Sequence, residues 1–211
     1  MPLFMPFHEL GHAVAGWLFG KPSVPAPFIT LALGEVSLLL QIIVTGVLMS
    51  GIWFAHRAGS SLATGALLLL FAAQLFLSFA ASSATQNQVE LLAGLAGECL
   101  FAPIFAWLAL VNLGSIWRRY RVGVAACAAI TLGNKFLLWG AVVLGMAEMP
   151  HGALLLGEEY GDTNRLMQEF NWRQDQLQWF FAGNACFSLW MLFAVLILSS
   201  LDPERACRST Q

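Results

Sequence analysis

The chain has 211 residues, of which 58% are apolar and only 10% charged. A soluble domain carries about 25% charged residues to coat its surface, so the composition excludes an ordinary soluble globule and indicates a polytopic membrane protein. A formal net charge of −2 without any basic cluster excludes a nucleic-acid partner.

The expected fold class is all-α: a bundle of five to six transmembrane helices forming a single integral-membrane domain over residues 1–211. The segment from Leu3 to Phe19 opens the chain and contains three ionisable groups, so it inserts poorly alone and is expected to pack inside the bundle. It lacks the basic n-region of a cleavable signal peptide. After the punctuation "GKPSVPAP" (20–27), five stretches are long enough to cross a hydrocarbon core. They are Phe28–His56, Leu62–Ser82, Val89–Asn112, Val122–Met146 and Leu177–Leu201. Short connections separate them, except for the polar segment from Pro150 to Gln176. There Leu166, Phe170, Leu177 and Phe181 recur at helical spacing, and Trp172 and Trp179 suit an interface. This reads as an amphipathic or re-entrant helix feeding the last span.

Lysine and arginine are unevenly distributed. If the first segment crosses, Arg57, Arg118, Arg119, Arg121, Arg205 and Arg208 share one side, against Lys21, Arg165 and Arg173 on the other. The bias puts the C-terminus in the cytoplasm and the 150–176 loop outside; the membrane expected is of the bacterial inner type. Cys99, Cys127 and Cys186 fall in apolar runs and Cys207 in the C-terminal tail, which reads as small hydrophobes rather than disulfide partners.

Chemistry is concentrated in "FHELGHAVAGWLFG" (7–20), which holds His8, Glu9 and His12. On a helix, positions i and i+4 share a face, so His8 and His12 would present two imidazoles to one zinc ion. Glu9, one residue on, is placed to take a proton from an attacking water without ligating the metal. The alternative is two helix-face histidines that hydrogen-bond a neighbour. Ionisable groups inside an apolar helix are costly, however, and tend to mark function.

The stretch "HELGHAVAGWLFG" resembles the first signature of the site-2-protease family of intramembrane zinc metalloproteases, in which small and apolar residues follow H-E-x-x-H, as Ala13, Ala15 and Gly16 do here. The resemblance is specific over residues 7–20 and general over the remaining spans. It implies a helix bundle holding zinc below the membrane surface and hydrolysing peptide bonds in the transmembrane helices of client proteins. It also implies a third ligand, an aspartate in a later segment, usually in a Pro-Asp-Gly or Leu-Asp-Gly context. Neither tripeptide occurs; the nearest equivalent is "GEEYGDTNRL" (157–166), with Asp162. Glu158 and Glu159 remain alternative third ligands, and Glu158 with Asp162 forms the E-x-x-x-D pair of another zinc-protease class. The plainer alternative for all three acids is a solvated loop. Only seven residues precede His8, fewer than the family usually has. At about 1.5 Å per residue His12 lies roughly 14 Å from Leu3, near the middle of a core of about 30 Å, so Asp162 would have to dip in from the opposite side.

Two further charges lie deep in spans: Glu98 in "LLAGLAGECLF" and Lys135 in "TLGNKFLLW". They are expected to pair across packed helices, since an unpaired charge there costs about 2.5–3.5 kcal/mol. Such a pair serves helix order, supports the zinc from outside its ligand shell, or forms part of an ion path. The function expected is an intramembrane zinc metalloprotease with membrane-spanning clients. The alternatives are an accessory subunit of a larger membrane complex that keeps the fold with little or no proteolysis, and a transporter whose path passes Glu98 and Lys135.

Overall fold

A computed structural model describes residues 5–26, 29–110, 115–149 and 161–201. The described chain is mostly helical, and five of its helical stretches are long and apolar enough to cross a membrane: Leu38–Arg57, Ser61–Ala80, Ser83–Ala109, Arg119–Val143 and Gln174–Ala194. Leu39, Ile42, Phe54, Leu69 and Phe79 are each more than half exposed. Apolar area of that extent suits lipid and not water. The chain divides into two compact units, one of Glu9–Gly94 and the other of the residues up to His8 with those from Leu95 onward.

In the unit Glu9–Gly94, helix α1 (Met5–Leu18) contributes all but its first turn. Gly20 (φ 86°) ends it: its N–H donates to the carbonyl of Trp17 at 3.1 Å and that of Lys21 to Gly16 at 2.9 Å. That is a Schellman closure, for which glycine is the favoured residue. Strands β1 (Ser23–Pro25) and β2 (Thr30–Ala32) then pair antiparallel, Val24 opposite Leu31. This small sheet is an unexpected detail in an otherwise helical chain, and it moves the start of the next helix from Phe28 to Leu38. Pro22, Pro25 and Pro27 lack the N–H a helix needs, and Ser37 caps α2 (Leu38–Arg57) by accepting from the Leu40 N–H at 3.4 Å.

Helix α3 (Ser61–Leu75) continues into a π-helical turn, Phe76–Ala80. Polar side chains of α2, this turn and the helix that follows satisfy backbone carbonyls that no helix bond takes. Gln41 Nε2 donates to Phe19 O at 3.1 Å, Ser78 Oγ to Leu18 O at 3.0 Å, and Gln86 Nε2 to Leu77 O at 2.7 Å. In lipid such carbonyls have no water to turn to. Ala15, Phe19 and Leu77 form the apolar centre, with Val89 and Ala93 against it. The last two residues belong to α4 (Ser83–Leu110).

In the other unit the remainder of α4 packs with α5 (Ser115–Val143) and α7 (Gln174–Leu201). Ala102, Ala128 and Leu132 are its buried centre, flanked by Phe105, Leu189 and Leu192. Trp139 of α5 stacks on Phe181 of α7 with centroids 4.9 Å apart. Of the segment expected to form one amphipathic helix before the last span, Asp162–Phe170 is helical (α6) and buries Thr163 and Leu166, whereas Leu177 and Phe181 fall on α7. Asn171 (φ 56°) closes it in the left-handed conformation, one that asparagine tolerates better than most residues.

Candidate functional site

Helix α1 carries His8, Glu9 and His12 together, as their spacing requires. It buries a small-residue face of Gly11, Ala13, Ala15 and Gly16. Within the unit Glu9–Gly94, Gly11 sits directly on the α4 backbone: a Cβ there would collide with the Ala93 carbonyl oxygen and lie 3.2 Å from Gly94 Cα. Close approach of this kind is what small residues permit between membrane helices.

His8 belongs to the unit that holds α5 and α6. Its Nδ1 lies 2.9 Å from Glu98 Oε1, and its Nε2 lies 3.1 Å from Asp162 Oδ2. An ionised carboxylate only accepts, so Nδ1 donates to Glu98; Nε2 also faces a carboxylate, that of Asp162, and donates to it unless a metal lies between the two. Asp162 stands in the first turn of α6, where the helix dipole favours a negative side chain. Two ligands of a tetrahedral zinc, each about 2.0–2.2 Å from it, lie about 3.3–3.6 Å apart. His8 Nε2 and Asp162 Oδ2, at 3.1 Å, stand at the distance of a direct ion pair and would open by a few tenths of an ångström to share a metal. On the far side of Glu98, Oε2 meets Lys135 Nζ at 2.6 Å, so the two deep charges expected to pair are brought together. Glu98 and Lys135 are both buried. Further along α6, Arg165 bridges to Glu169 across one turn, and its hydrogen bond holds the Glu169 carboxyl below the ordinary range.

The remaining motif residues lie in the other unit. His12 Nδ1 is 2.7 Å from the backbone carbonyl of Glu90. A carbonyl only accepts, so His12 too has its Nδ1 protonated and offers Nε2. The Glu90 side chain is held by Lys21, whose Nζ reaches Oε2 at 2.8 Å and Oε1 at 3.0 Å. Glu9 is buried, and Thr30 Oγ1 lies 2.7 Å from its Oε2 and 2.8 Å from its carbonyl oxygen, placed to donate to either. Strand β2 thus orients the carboxylate expected to act as base.

Glu158 and Glu159, the alternative third ligands, lie outside the described residues, as do residues 150–160 of the segment expected to be re-entrant. Sequence reasoning missed Thr30, Glu90 and Lys21. Thr30 sits in an apolar stretch with no periodicity to single it out. Glu90 carries a signal, an acid close to the start of an apolar span, legible in "QNQVELLAG". No protein-family model matches the chain, and no curated protein or solved structure matches it.

Proposed function

We propose that this chain is an intramembrane zinc metalloprotease that cleaves peptide bonds in the membrane-spanning segments of other proteins. The observation that carries the proposal is the engagement of both histidines from behind. His8 Nδ1 is turned to Glu98 and His12 Nδ1 to the Glu90 carbonyl, while His8 Nε2 faces Asp162. Metal-ligating histidines almost always donate their other ring N–H to such an acceptor. Because α1 is one continuous helix, it carries His12 one turn from His8 on the same face. His8, His12 and Asp162 would hold the metal and leave a fourth position open, as in catalytic zinc sites.

Zinc bound there supplies a Lewis acid for the scissile carbonyl and lowers the pKa of water. Glu9 handles the proton. With Oε2 fixed by Thr30, Oε1 receives the proton of the attacking water and passes it to the leaving amine. A client helix has to unwind locally, because its carbonyls are otherwise occupied by helix hydrogen bonds. The lysine and arginine distribution supports an orientation with the C-terminus in the cytoplasm.

One observation favours the second reading, an accessory subunit of a larger membrane complex without proteolysis. Glu9 is only 5% exposed and its carboxylate is already bound by Thr30, an enclosed position for a base. The two readings separate in the metal content and activity of the full chain, purified in detergent without chelator. Zinc near one per chain, lost in both His12→Ala and Asp162→Ala, supports the protease site. Client accumulation with Glu9→Gln then supports catalysis. Metal-free wild type refutes the proposal, whereas zinc with unimpaired clients in Glu9→Gln favours the subunit.

A further inference from the structure

The contact chain from Lys135 through Glu98 to His8 joins three helices by two short polar contacts, 2.6 Å and 2.9 Å. An ion pair that only fixed helix order would be satisfied by Glu98 and Lys135 alone. Here the carboxylate is shared: Lys135 takes Oε2, and the other oxygen is aimed at His8 Nδ1. A carboxylate ion-paired at Oε2 and turned to a ring N–H at Oε1 is restrained about its last bond, so the acceptor direction offered to Nδ1 depends on where Lys135 stands. The Glu98 side chain is 4% exposed and that of Lys135 11% exposed, so water does not compete for either contact.

We propose that Lys135 is a positioning residue of the metal site: by clamping Glu98 Oε2 it orients the carboxylate that holds His8 with Nε2 toward the metal. The proposal rests on the zinc reading and assigns to α5, which offers no ligand of the proposed set, a share in metal affinity. Lys135 acts through Glu98, which limits the imidazole to one tautomer and one ring plane. Contacts of this outer kind change metal affinity by about 10–100-fold when removed.

The test uses the full chain in detergent and two probes, Zn2+ in competition with a chromophoric chelator and Co2+ by its visible absorption. Lys135→Met is expected to weaken Zn2+ binding by about 10-fold or more and to alter the Co2+ band, with Lys135→Arg restoring both toward wild type. Because Lys135→Met leaves a buried carboxylate without its counter-charge, the double variant Lys135→Met/Glu98→Gln serves as a neutral, foldable pair. It is expected to fold and still bind Zn2+ about 10–100-fold more weakly. A folded Lys135→Met with wild-type Zn2+ affinity and Co2+ band overturns the proposal. So does a folded double variant that binds as wild type, since the pair would then serve helix order alone. Wild type that binds neither ion overturns the zinc reading itself, a different result from wild-type binding that survives the variants.

Discussion

Gly11→Ala isolates the contact on which the histidine helix depends. A methyl group at Gly11 would run into the Ala93 carbonyl oxygen, with Ala93 C at 2.8 Å and Gly94 Cα at 3.2 Å. All three are backbone atoms of a helix interior, which no rotamer change can move aside. Overpacking of this kind costs up to about 3 kcal/mol. Moving α1 away also stretches the 2.7 Å contact from His12 Nδ1 to the Glu90 carbonyl, a loss of about 1 kcal/mol. Against this, alanine is a better helix former than glycine by about 1 kcal/mol. The net destabilisation is up to about 3 kcal/mol, a fall of up to about 6–12 °C in Tm for a chain of this size. Thermal unfolding of detergent-purified protein measures it, with Gly183→Ala as the control. Nothing lies within 4 Å of a Cβ at Gly183, so that variant should be neutral or gain up to about 1 kcal/mol. A Gly11→Ala protein as stable as Gly183→Ala would refute backbone contact between α1 and α4 at this point.

Thr30→Val removes the hydroxyl that binds Glu9 while keeping the side chain's shape, and should cost about 1–3 kcal/mol by leaving a buried carboxylate oxygen unsatisfied; Thr30→Ser should recover most of it in the same unfolding assay. Trp139→Ala empties the stack on Phe181, where Trp139 is 1% exposed, and chemical denaturation should register a loss of about 3–5 kcal/mol. Lys21→Met breaks a half-buried pair, and the Glu90 group that receives His12 is a backbone carbonyl that remains in place. Its effect should stay within about 1 kcal/mol, and a large loss would show that the Lys21 side chain, not the α4 backbone, holds that carbonyl.

The features legible in the sequence are those that depend on near neighbours. Five apolar stretches announce five helices because hydropathy is a property of consecutive residues, and each corresponds to a helix long enough to cross a membrane. The amphipathic character of α6 is visible in Leu166 and Phe170 for the same reason. The β1–β2 pair has no comparable signature. Its prolines argue against helix, but strands of three residues give too short a pattern to distinguish pairing from loop.

By itself the sequence determined that His8 and His12 share a helix face, since a spacing of four residues leaves an α-helix no other choice. It also made a partner necessary for each deep charge, because lipid offers none. The pairing of Glu98 with Lys135 followed from that need; how the remaining partners meet was decided by tertiary structure. Glu98 turns one oxygen to Lys135 and the other to His8, ninety residues away along the chain, and Thr30 reaches Glu9 from a separate strand. Asp162 comes to His8 Nε2 from the first turn of α6. No local pattern encodes such meetings, because they depend on how helices distant in sequence are packed and rotated about their axes.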